Sequence, residues 1–255
     1  GTDRGATPGT GRLSEVGAAV SYEEAGGAGG SMIPEGTEIV VHSAAIKAEH
    51  PAMVEARSRA LRGAGAGEGQ TCEIVKYAAM LGRVMALKHG IAIAGTHGKS
   101  TTTAMTAHVL LTAGRDPSFV VGATCPQLGG SSRSGKGDFF VVEACEYDRS
   151  FHHLHPRIGV VLNIEEDHLD YYKNIQEINE SFATFIRQVD AAGVVLISAA
   201  DANCAIAARN AEATVETFGI DVPADWQATG IRRFQGKAHF PVSYKDRKLG
   251  RLTLA

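Results

Sequence analysis

The sequence predicts an α/β fold with a mostly parallel central sheet. Three near-continuous apolar runs, at residues 139–142, 158–162 and 193–197, are typical of parallel strands that are buried on both faces. A fourth apolar run, at residues 91–94, leads into a glycine-containing turn and then into a helical pattern. Strands that alternate with helices in this way form α/β layers.

The first part of the chain predicts a shorter α/β layer. Residues 38–43 form an apolar run typical of a strand, and residues 50–61 have the apolar spacing of a helix. The glycine-rich residues 63–69 predict a loop. We expect residues 74–89 to form one helix that ends at Gly90.

The elements after the glycine-containing turn follow the same reasoning. Residues 119–122 predict a short strand, and the glycine- and serine-rich residues 129–137 predict a mobile loop. Residues 239–244 and 249–254 flank a polar turn and predict a β-hairpin, and we expect the domain to continue beyond it. One apolar helical face predicts a helix packed on the core: Ile175, Ile178, Phe182, Phe185, Ile186 and Val189.

Composition and charge argue against several classes of protein. The chain has 255 residues, of which 44% are hydrophobic and 21% are charged, as is typical of soluble globular proteins. The net charge of −3 divides into −2 before residue 86 and −1 after it, so neither part has the basic excess of a nucleic-acid binder. No apolar run approaches the length of a membrane span. The widely spaced cysteines predict a reduced, cytoplasmic protein without a zinc site or disulfide framework: Cys72, Cys125, Cys145 and Cys204.

The glycine-containing turn is predicted to bind phosphate groups. Gly95 and Gly98 permit a tight backbone path, and the free N–H groups at the start of the next helix form an anion site. Lys99 supplies a cation for the outer phosphates of ATP, and the Ser100 hydroxyl can join the coordination shell of Mg²⁺. The match to G-x-x-x-x-G-K-[ST] is incomplete, because Ile93 occupies the first glycine position. The alternative is an ordinary strand–turn–helix corner with a solvated lysine.

Polar side chains follow two further predicted strands, where ligands of open α/β sheets bind. Glu143 opens a segment with three acids, residues 143–148, and its carboxylate is the kind of ligand that Mg²⁺ prefers. The alternative there is a solvated acidic loop. His168, in residues 163–170, can bind a metal through a neutral imidazole nitrogen. The alternative is a helix N-terminus at which Asp167 is the cap.

Two other groups are predicted to have no role in a site. The histidines at positions 152, 153 and 155 have no acid or cysteine at ligand spacing, so we expect them on the surface. Cys145 has no base nearby in sequence that would activate it, and we expect an inert, buried thiol.

Together, three of these segments resemble the Mur ligase family of peptidoglycan synthesis. Residues 95–105 resemble the family's phosphate loop in the form that carries histidine, here His97. Residues 143–151 and 163–172 resemble the two motifs that follow in the family, and the spacing between the three segments also fits. The resemblance covers most of the chain. Two departures are a cysteine at position 145, where aspartate is usual, and an arginine at position 149, where glycine is common.

The resemblance implies an ATP-dependent amide-bond ligase that joins L-alanine to UDP-N-acetylmuramate through an acyl phosphate. It implies that Lys99 binds the β- and γ-phosphates, that Asn163 lies near the γ-phosphate and the reacting acyl group, and that these two residues and His168 are catalytic. Ser100 and Glu143 would hold one Mg²⁺, and His168 would help to hold a second metal ion. The implied nucleotide-binding residues are Gly95, Thr96, His97, Gly98, Lys99, Ser100 and Thr101.

The resemblance also implies a division of the chain. Residues 1–86 would be part of a Rossmann-like domain that binds the UDP substrate, and residues 87–255 would be the central ATP-binding domain. The family's third domain, which binds the amino acid, would lie outside the sequence, so we expect the chain alone to be incomplete for activity. Two alternatives stay open: the family's recycling ligase, which attaches a tripeptide to UDP-N-acetylmuramate, and a catalytically silent nucleotide-binding fragment. Residues 170–172 and the short segment 152–155 favour the alanine ligase over the recycling enzyme.

Overall fold

The computed structural model describes residues 2–3, 8–15, 17–22, 33–65 and 72–254. These residues form two compact units, Gly1–Tyr77 and Ala78–Ala255. The predicted domain boundary after residue 86 is not tested by this division and stays a prediction. Among the described residues, no helix is long and apolar enough to cross a membrane.

The first unit contains two pairs of parallel strands. β1 (Thr2–Asp3) pairs with β2 (Ser21–Tyr22), and β3 (Ile39–His42) pairs with β4 (Glu73–Lys76). The predicted strand at residues 38–43 is confirmed as β3. The helices of this unit, in chain order, are α1 (Pro8–Glu15) and α2 (Pro51–Gly65).

Two predictions in this part of the chain need correction. The predicted helix 50–61 is confirmed, but α2 continues to Gly65, into the segment predicted as a loop, and residues 66–69 lie outside the described residues. The prediction of one helix over residues 74–89 is wrong. Residues 73–76 form β4 beside β3, and only Tyr77–Met85 is helical. The β-branched Ile74 and Val75 fit a strand as soon as a distant partner strand is present.

The second unit is built around one large sheet. The elements after β4, in chain order, are α3 (Tyr77–Met85), β5 (His89–Ala94), α4 (Lys99–Thr112), β6 (Ser118–Cys125), β7 (Gly130–Arg133), β8 (Phe139–Glu143), β9 (Ile158–Val161), α5 (Ile175–Arg187), β10 (Val194–Ser198), α6 (Ala202–Ala207), β11 (Thr214–Ile220), β12 (Trp226–Ala228), β13 (Arg232–Phe234), β14 (Lys237–Tyr244) and β15 (Arg247–Leu254).

The sheet is mostly parallel, as predicted. Its order is β13-β14-β12-β11-β10-β9-β5-β8-β6-β7, and β15 pairs with β14. The seven strands from β12 to β6 in this order run parallel, whereas β7 at one end and β13, β14 and β15 at the other are antiparallel additions. The predicted hairpin is confirmed as β14 and β15. β5 lies between β8 and β9, so the segments that follow these three strands meet at one edge.

Apolar side chains are buried on both faces of the central strands. Ala92 and Ala94 of β5 belong to the cluster that contains the apolar residues of α5, whereas Ile91 and Ile93 belong to the cluster that contains Ala107 of α4. This alternation explains why the central strands appear in the sequence as uninterrupted apolar runs. The predicted apolar face of residues 175–189 packs on the core as expected.

The segment predicted as a mobile loop, residues 129–137, is instead partly a strand. Residues 130–133 form β7, which pairs antiparallel with β6, and β6 itself is longer than the predicted strand at residues 119–122. Asp116 accepts hydrogen bonds from the Arg133 guanidinium at 2.6 Å and from the Lys136 backbone N–H at 2.9 Å. Glycine and serine are compatible with an edge strand once a neighbouring strand offers its hydrogen-bonding groups.

Phe182 of α5 has no exposed surface and lies in the larger core cluster. We expect Phe182→Ala to lower the free energy of unfolding by about 3–5 kcal/mol, because it removes buried apolar surface and leaves a cavity. Urea unfolding followed by circular dichroism measures this change. The matched control is Val109→Ala on α4, where the side chain is 63% exposed, and there we expect a change within about 0.5 kcal/mol. Equal losses in the two variants would contradict the assigned core.

Candidate nucleotide and metal site

The turn between β5 and α4 has the backbone path that its two glycines predict. Gly95 has φ of +143° and Gly98, which precedes the first residue of α4, has φ of +83°. A Cβ atom on Gly95 would lie 3.0 Å from the Cβ of Leu162 on the neighbouring segment. Both positions therefore favour glycine, and the predicted strand–turn–helix order is confirmed.

Asn163 holds this turn against the segment that follows β9. Its Oδ1 accepts a hydrogen bond from the His97 backbone N–H at 2.7 Å, and its Nδ2 donates to the His97 carbonyl at 3.1 Å. The Thr96 hydroxyl accepts a further bond from the Glu165 backbone N–H at 2.9 Å. In this structure Asn163 shapes the turn, and its role near a phosphate stays a prediction.

Lys99 is held inside the site. Its ammonium group donates to the carbonyls of Gly95 at 2.6 Å and Thr96 at 3.1 Å, and to Glu146 Oε1 at 2.8 Å. The two charged side chains are only 14% and 4% exposed, respectively, so the alternative of a solvated lysine is wrong. Breaking such a buried pair by removing one partner destabilises a protein by about 3–5 kcal/mol.

Glu146 also faces a second group of polar side chains. Its Oε1 lies 3.6 Å from His168 Nε2, which is 4.0 Å from Asp167 Oδ2. The ligand atoms of these three residues all lie within 4.8 Å of one another, and Glu146 Oε2 is buried without a hydrogen-bond partner in the part of the chain that the structure describes. Two carboxylates, one of which has an unsatisfied buried oxygen, and an imidazole fit a divalent cation.

The other two predicted metal ligands lie at the same sheet edge but in a different arrangement. Glu143, the last residue of β8, accepts a hydrogen bond at Oε2 from the Gly122 backbone N–H at 2.8 Å. Ser100 is partly buried in the first turn of α4, next to the exposed Thr101. The structure therefore brings Glu146, rather than Glu143, to His168. The sequence signal for Glu146 was only its place in the acidic segment, and its burial depends on the fold.

The segment around His168 is not a helix N-terminus. His168 has φ of +52°, and its backbone N–H donates to Asp167 Oδ1 at 2.7 Å. Helix α5 begins later, at Ile175, so the alternative of a helix capped by Asp167 is wrong. The ring of Tyr147 packs edge-on against the imidazole of His168 at 5.1 Å, which helps to orient it.

A chain of hydrogen-bonded polar side chains holds the backbone of Glu146 in place. The Tyr172 hydroxyl donates to the Glu146 carbonyl at 2.6 Å and lies 3.1 Å from the Ser181 hydroxyl, which lies 3.1 Å from His152 Nε2. His152 is therefore partly buried, and its predicted surface position is wrong, whereas His153 and His155 are exposed as expected. Desolvation lowers the pKa of His152 below its ordinary value.

The two departures from the family pattern are accommodated in different ways. Arg149 has φ of +51°, a left-handed conformation in which glycine is not strained, and its guanidinium donates to Glu177 of α5 at 2.7 Å. This ion pair ties the arginine to the helix. Cys145 is exposed, so the predicted burial of its thiol is wrong. Desolvation raises the pKa of the thiol, and its lack of reactivity stays a prediction.

The fold and the site define a class of protein: a parallel α/β domain with a lysine-bearing, glycine-containing turn and carboxylates at the ends of the adjacent strands. Comparison with known proteins is more specific. Residues 93–254 match the family described as the Mur ligase middle domain. The chain belongs to the Mur ligase family, whose members are ATP-dependent ligases.

Curated relatives and solved structures agree with this assignment. UDP-N-acetylmuramate–L-alanine ligase from Geotalea daltonii is 37% identical over 96% of this chain and 50% of the relative, and the enzyme of that name from Clostridium acetobutylicum is 42% identical over 72% and 38%. The chain thus spans about half the length of the curated relatives it matches. The fold is similar to a murein peptide ligase from Psychrobacter arcticus, with a TM-score of 0.77 and 23% identity over 99% of this chain and 54% of that one. It is equally similar to a UDP-N-acetylmuramate-alanine ligase from Thermotoga maritima, with a TM-score of 0.76 and 21% identity over 99% and 54%.

The lowered pKa of His152 predicts a pH dependence of stability. As the pH falls below the ordinary histidine pKa of about 6.5, His152 is protonated in the unfolded chain but stays neutral in the folded chain. Acidification therefore destabilises the fold until the pH passes the lower pKa of the folded state. We expect His152→Gln to reduce the fall in unfolding free energy between about pH 7.5 and 5.5. The control is His153→Gln, because that side chain is exposed. Parallel pH profiles for the wild type and His152→Gln in urea unfolding would contradict the prediction.

Proposed function

We propose that this chain is the ATP-binding part, with a portion of the UDP-substrate-binding part, of a ligase that joins L-alanine to UDP-N-acetylmuramate. One observation carries the proposal. Lys99, Glu146 and His168 come from the segments after β5, β8 and β9, and the parallel pairing of these strands brings them into one partly buried site. The names of the curated relatives support L-alanine as the amino acid. A tripeptide substrate is less favoured, because residues 170–172 and the short segment 152–155 resemble the alanine ligase more than the recycling enzyme.

The turn residues would bind the phosphates of ATP. Backbone N–H groups at the start of α4 offer an anion site, and Lys99 adds a positive charge next to it. Asn163 keeps the turn in shape through its two hydrogen bonds to His97. We propose the nucleotide-binding set as the seven residues from Gly95 to Thr101.

The acidic groups at the same edge would hold Mg²⁺. We propose Ser100 and Glu143 as ligands of one ion and His168 as a ligand of another. When bound, Mg²⁺ neutralises negative charge on the phosphate groups. The residues that approach His168 in the structure, Glu146 and Asp167, supply the carboxylates that such an ion prefers.

The chemistry needs positioning and charge more than a reactive side chain. ATP transfers its γ-phosphoryl group to the muramoyl carboxylate, which releases ADP and forms an acyl phosphate. The amine of L-alanine attacks the acyl carbon, and phosphate leaves from the tetrahedral intermediate. Lys99 stabilises the charge on the transferred group, and burial of the site strengthens that effect. None of these steps requires a nucleophile from the protein.

The experiment that tests the proposal is phosphate release by the intact protein. With Mg²⁺, ATP and UDP-N-acetylmuramate present, we expect release only when L-alanine is added. Release that depends on the tripeptide instead would assign the protein to the recycling reaction. If neither addition causes release, the silent nucleotide-binding fragment becomes the better description.

We expect Lys99→Ala to lower phosphate release by at least about a hundredfold, since it removes the cation that faces the transferred phosphoryl group. Because the change also leaves Glu146 buried without its cation, circular dichroism must first show that the variant is folded. The control is Lys173→Ala, which removes an exposed lysine. Normal turnover by folded Lys99→Ala would refute the phosphate-loop assignment.

We also expect His168→Ala to raise the Mg²⁺ concentration needed for half-maximal phosphate release. The reason is that the variant removes one of three ligand groups that lie within 4.8 Å of each other. A Mg²⁺ titration of initial rates measures the shift, with His153→Ala as the control. Superimposable titrations of His168→Ala and the wild type would remove His168 from the metal site.

A further inference from the structure

We propose that Glu146 exchanges partners during nucleotide binding: it pairs with Lys99 before the nucleotide binds, and with a divalent cation once Lys99 turns to the phosphates. This inference rests on the proposed function, because it assumes that Lys99 binds the nucleotide. It adds a role for Glu146 that links metal binding to nucleotide binding.

Three contacts use the full hydrogen-bonding capacity of Lys99. An ammonium group has three N–H donors, and Lys99 Nζ has three acceptors within 3.1 Å, namely two turn carbonyls and Glu146 Oε1. A phosphate oxygen can gain a bond from Lys99 only if one of these contacts opens. The bond to Glu146 is the one that an anionic ligand opposes, because the carboxylate and the phosphate carry charge of the same sign.

Glu146 cannot simply be left without a cation. Its side chain is 4% exposed, and its Oε2 has no hydrogen-bond partner within the described residues even while Oε1 is bonded to Lys99. A buried carboxylate that loses its lysine partner without a replacement cation is strongly unfavourable. Release of Lys99 therefore requires a replacement positive charge close to Glu146.

The neighbouring side chains provide a place for that charge. His168 Nε2 lies 3.6 Å from Glu146 Oε1, and Asp167 completes a group of ligand atoms within 4.8 Å. A divalent cation there would compensate Glu146 and permit Lys99 to leave. The exchange needs only side-chain rotation, since the Tyr172 hydroxyl holds the Glu146 carbonyl at 2.6 Å.

Thermodynamic linkage then makes binding of the cation and binding of the phosphate groups mutually favourable. A cation that binds Glu146 weakens its hold on Lys99 and so favours phosphate, and phosphate that draws Lys99 away favours the cation by the same factor. Glu146 is thus a positioning residue for Lys99 and, in the loaded site, a metal ligand.

Two binding measurements on the intact protein test the exchange without any turnover. Electron paramagnetic resonance of free Mn²⁺ gives the affinity for Mn²⁺ alone, and equilibrium dialysis with EDTA gives the affinity for ATP alone. For Glu146→Gln we expect the affinity for Mn²⁺ to fall at least about tenfold, because even the loss of a group that only supports a metal ligand usually costs that much. We expect metal-free ATP to bind at least about fivefold more tightly, the lower end of usual coupling between sites.

Two further variants separate the parts of the proposal. Asp167→Asn, at a position 45% exposed, should weaken Mn²⁺ binding but should not strengthen metal-free ATP binding, because Asp167 is not bonded to Lys99. Glu180→Gln removes an exposed carboxylate on α5 and should change neither affinity. Thermal unfolding shows whether each variant is folded.

The outcomes are distinct. Unchanged Mn²⁺ affinity in both Glu146→Gln and Asp167→Asn would overturn the cation site. Unchanged or weaker binding of metal-free ATP by Glu146→Gln would show that Glu146 does not compete with the phosphate groups for Lys99. That result would overturn the exchange but leave the proposed function in place. A wild-type protein that fails to bind ATP, with or without metal, would overturn both.

Discussion

The parallel pairing of β5 with β8 on one side and β9 on the other is the constraint on which the candidate site depends. Parallel strands end at the same edge of a sheet, so the turn after β5 and the two acidic segments must meet there. Apolar side chains on both faces hold these strands in register. The packed core therefore positions the polar groups at this edge. As a result, the segments that follow β5, β8 and β9, which are far apart in sequence, form one candidate site.

Burial changes what those polar groups can do. Lys99 and Glu146 would form an ordinary, weak pair on a surface, but at 14% and 4% exposure solvent screens them little, and loss of either partner is costly for the other. The Tyr172–Ser181–His152 chain extends this organisation to α5. In the proposed exchange, metal binding is coupled to nucleotide binding because the negative charge of Glu146 must always be compensated inside the site.

Membership of the Mur ligase family and the proposed reaction have different support. Family membership follows from the match over residues 93–254, and the fold similarity agrees with it. The substrates are proposed from the relatives' names and the chemistry of the site, because the chain spans about half of those relatives. The groups proposed to bind ATP and a cation lie in this half, which is why the binding measurements are informative even without turnover.

The sequence by itself determined the elements whose signals are local. The apolar runs of the central strands, the Gly95–Gly98 turn before α4 and the apolar face of α5 follow from side-chain period and backbone freedom, and each is confirmed. Tertiary structure decided the rest. β4 forms because the distant strand β3 completes its hydrogen bonds, which no local pattern reveals. β7 forms because β6 lies beside it, although its glycine- and serine-rich sequence indicates a loop. It also decided that Glu146, not Glu143, approaches His168, since direction and burial of side chains after a strand depend on neighbouring segments.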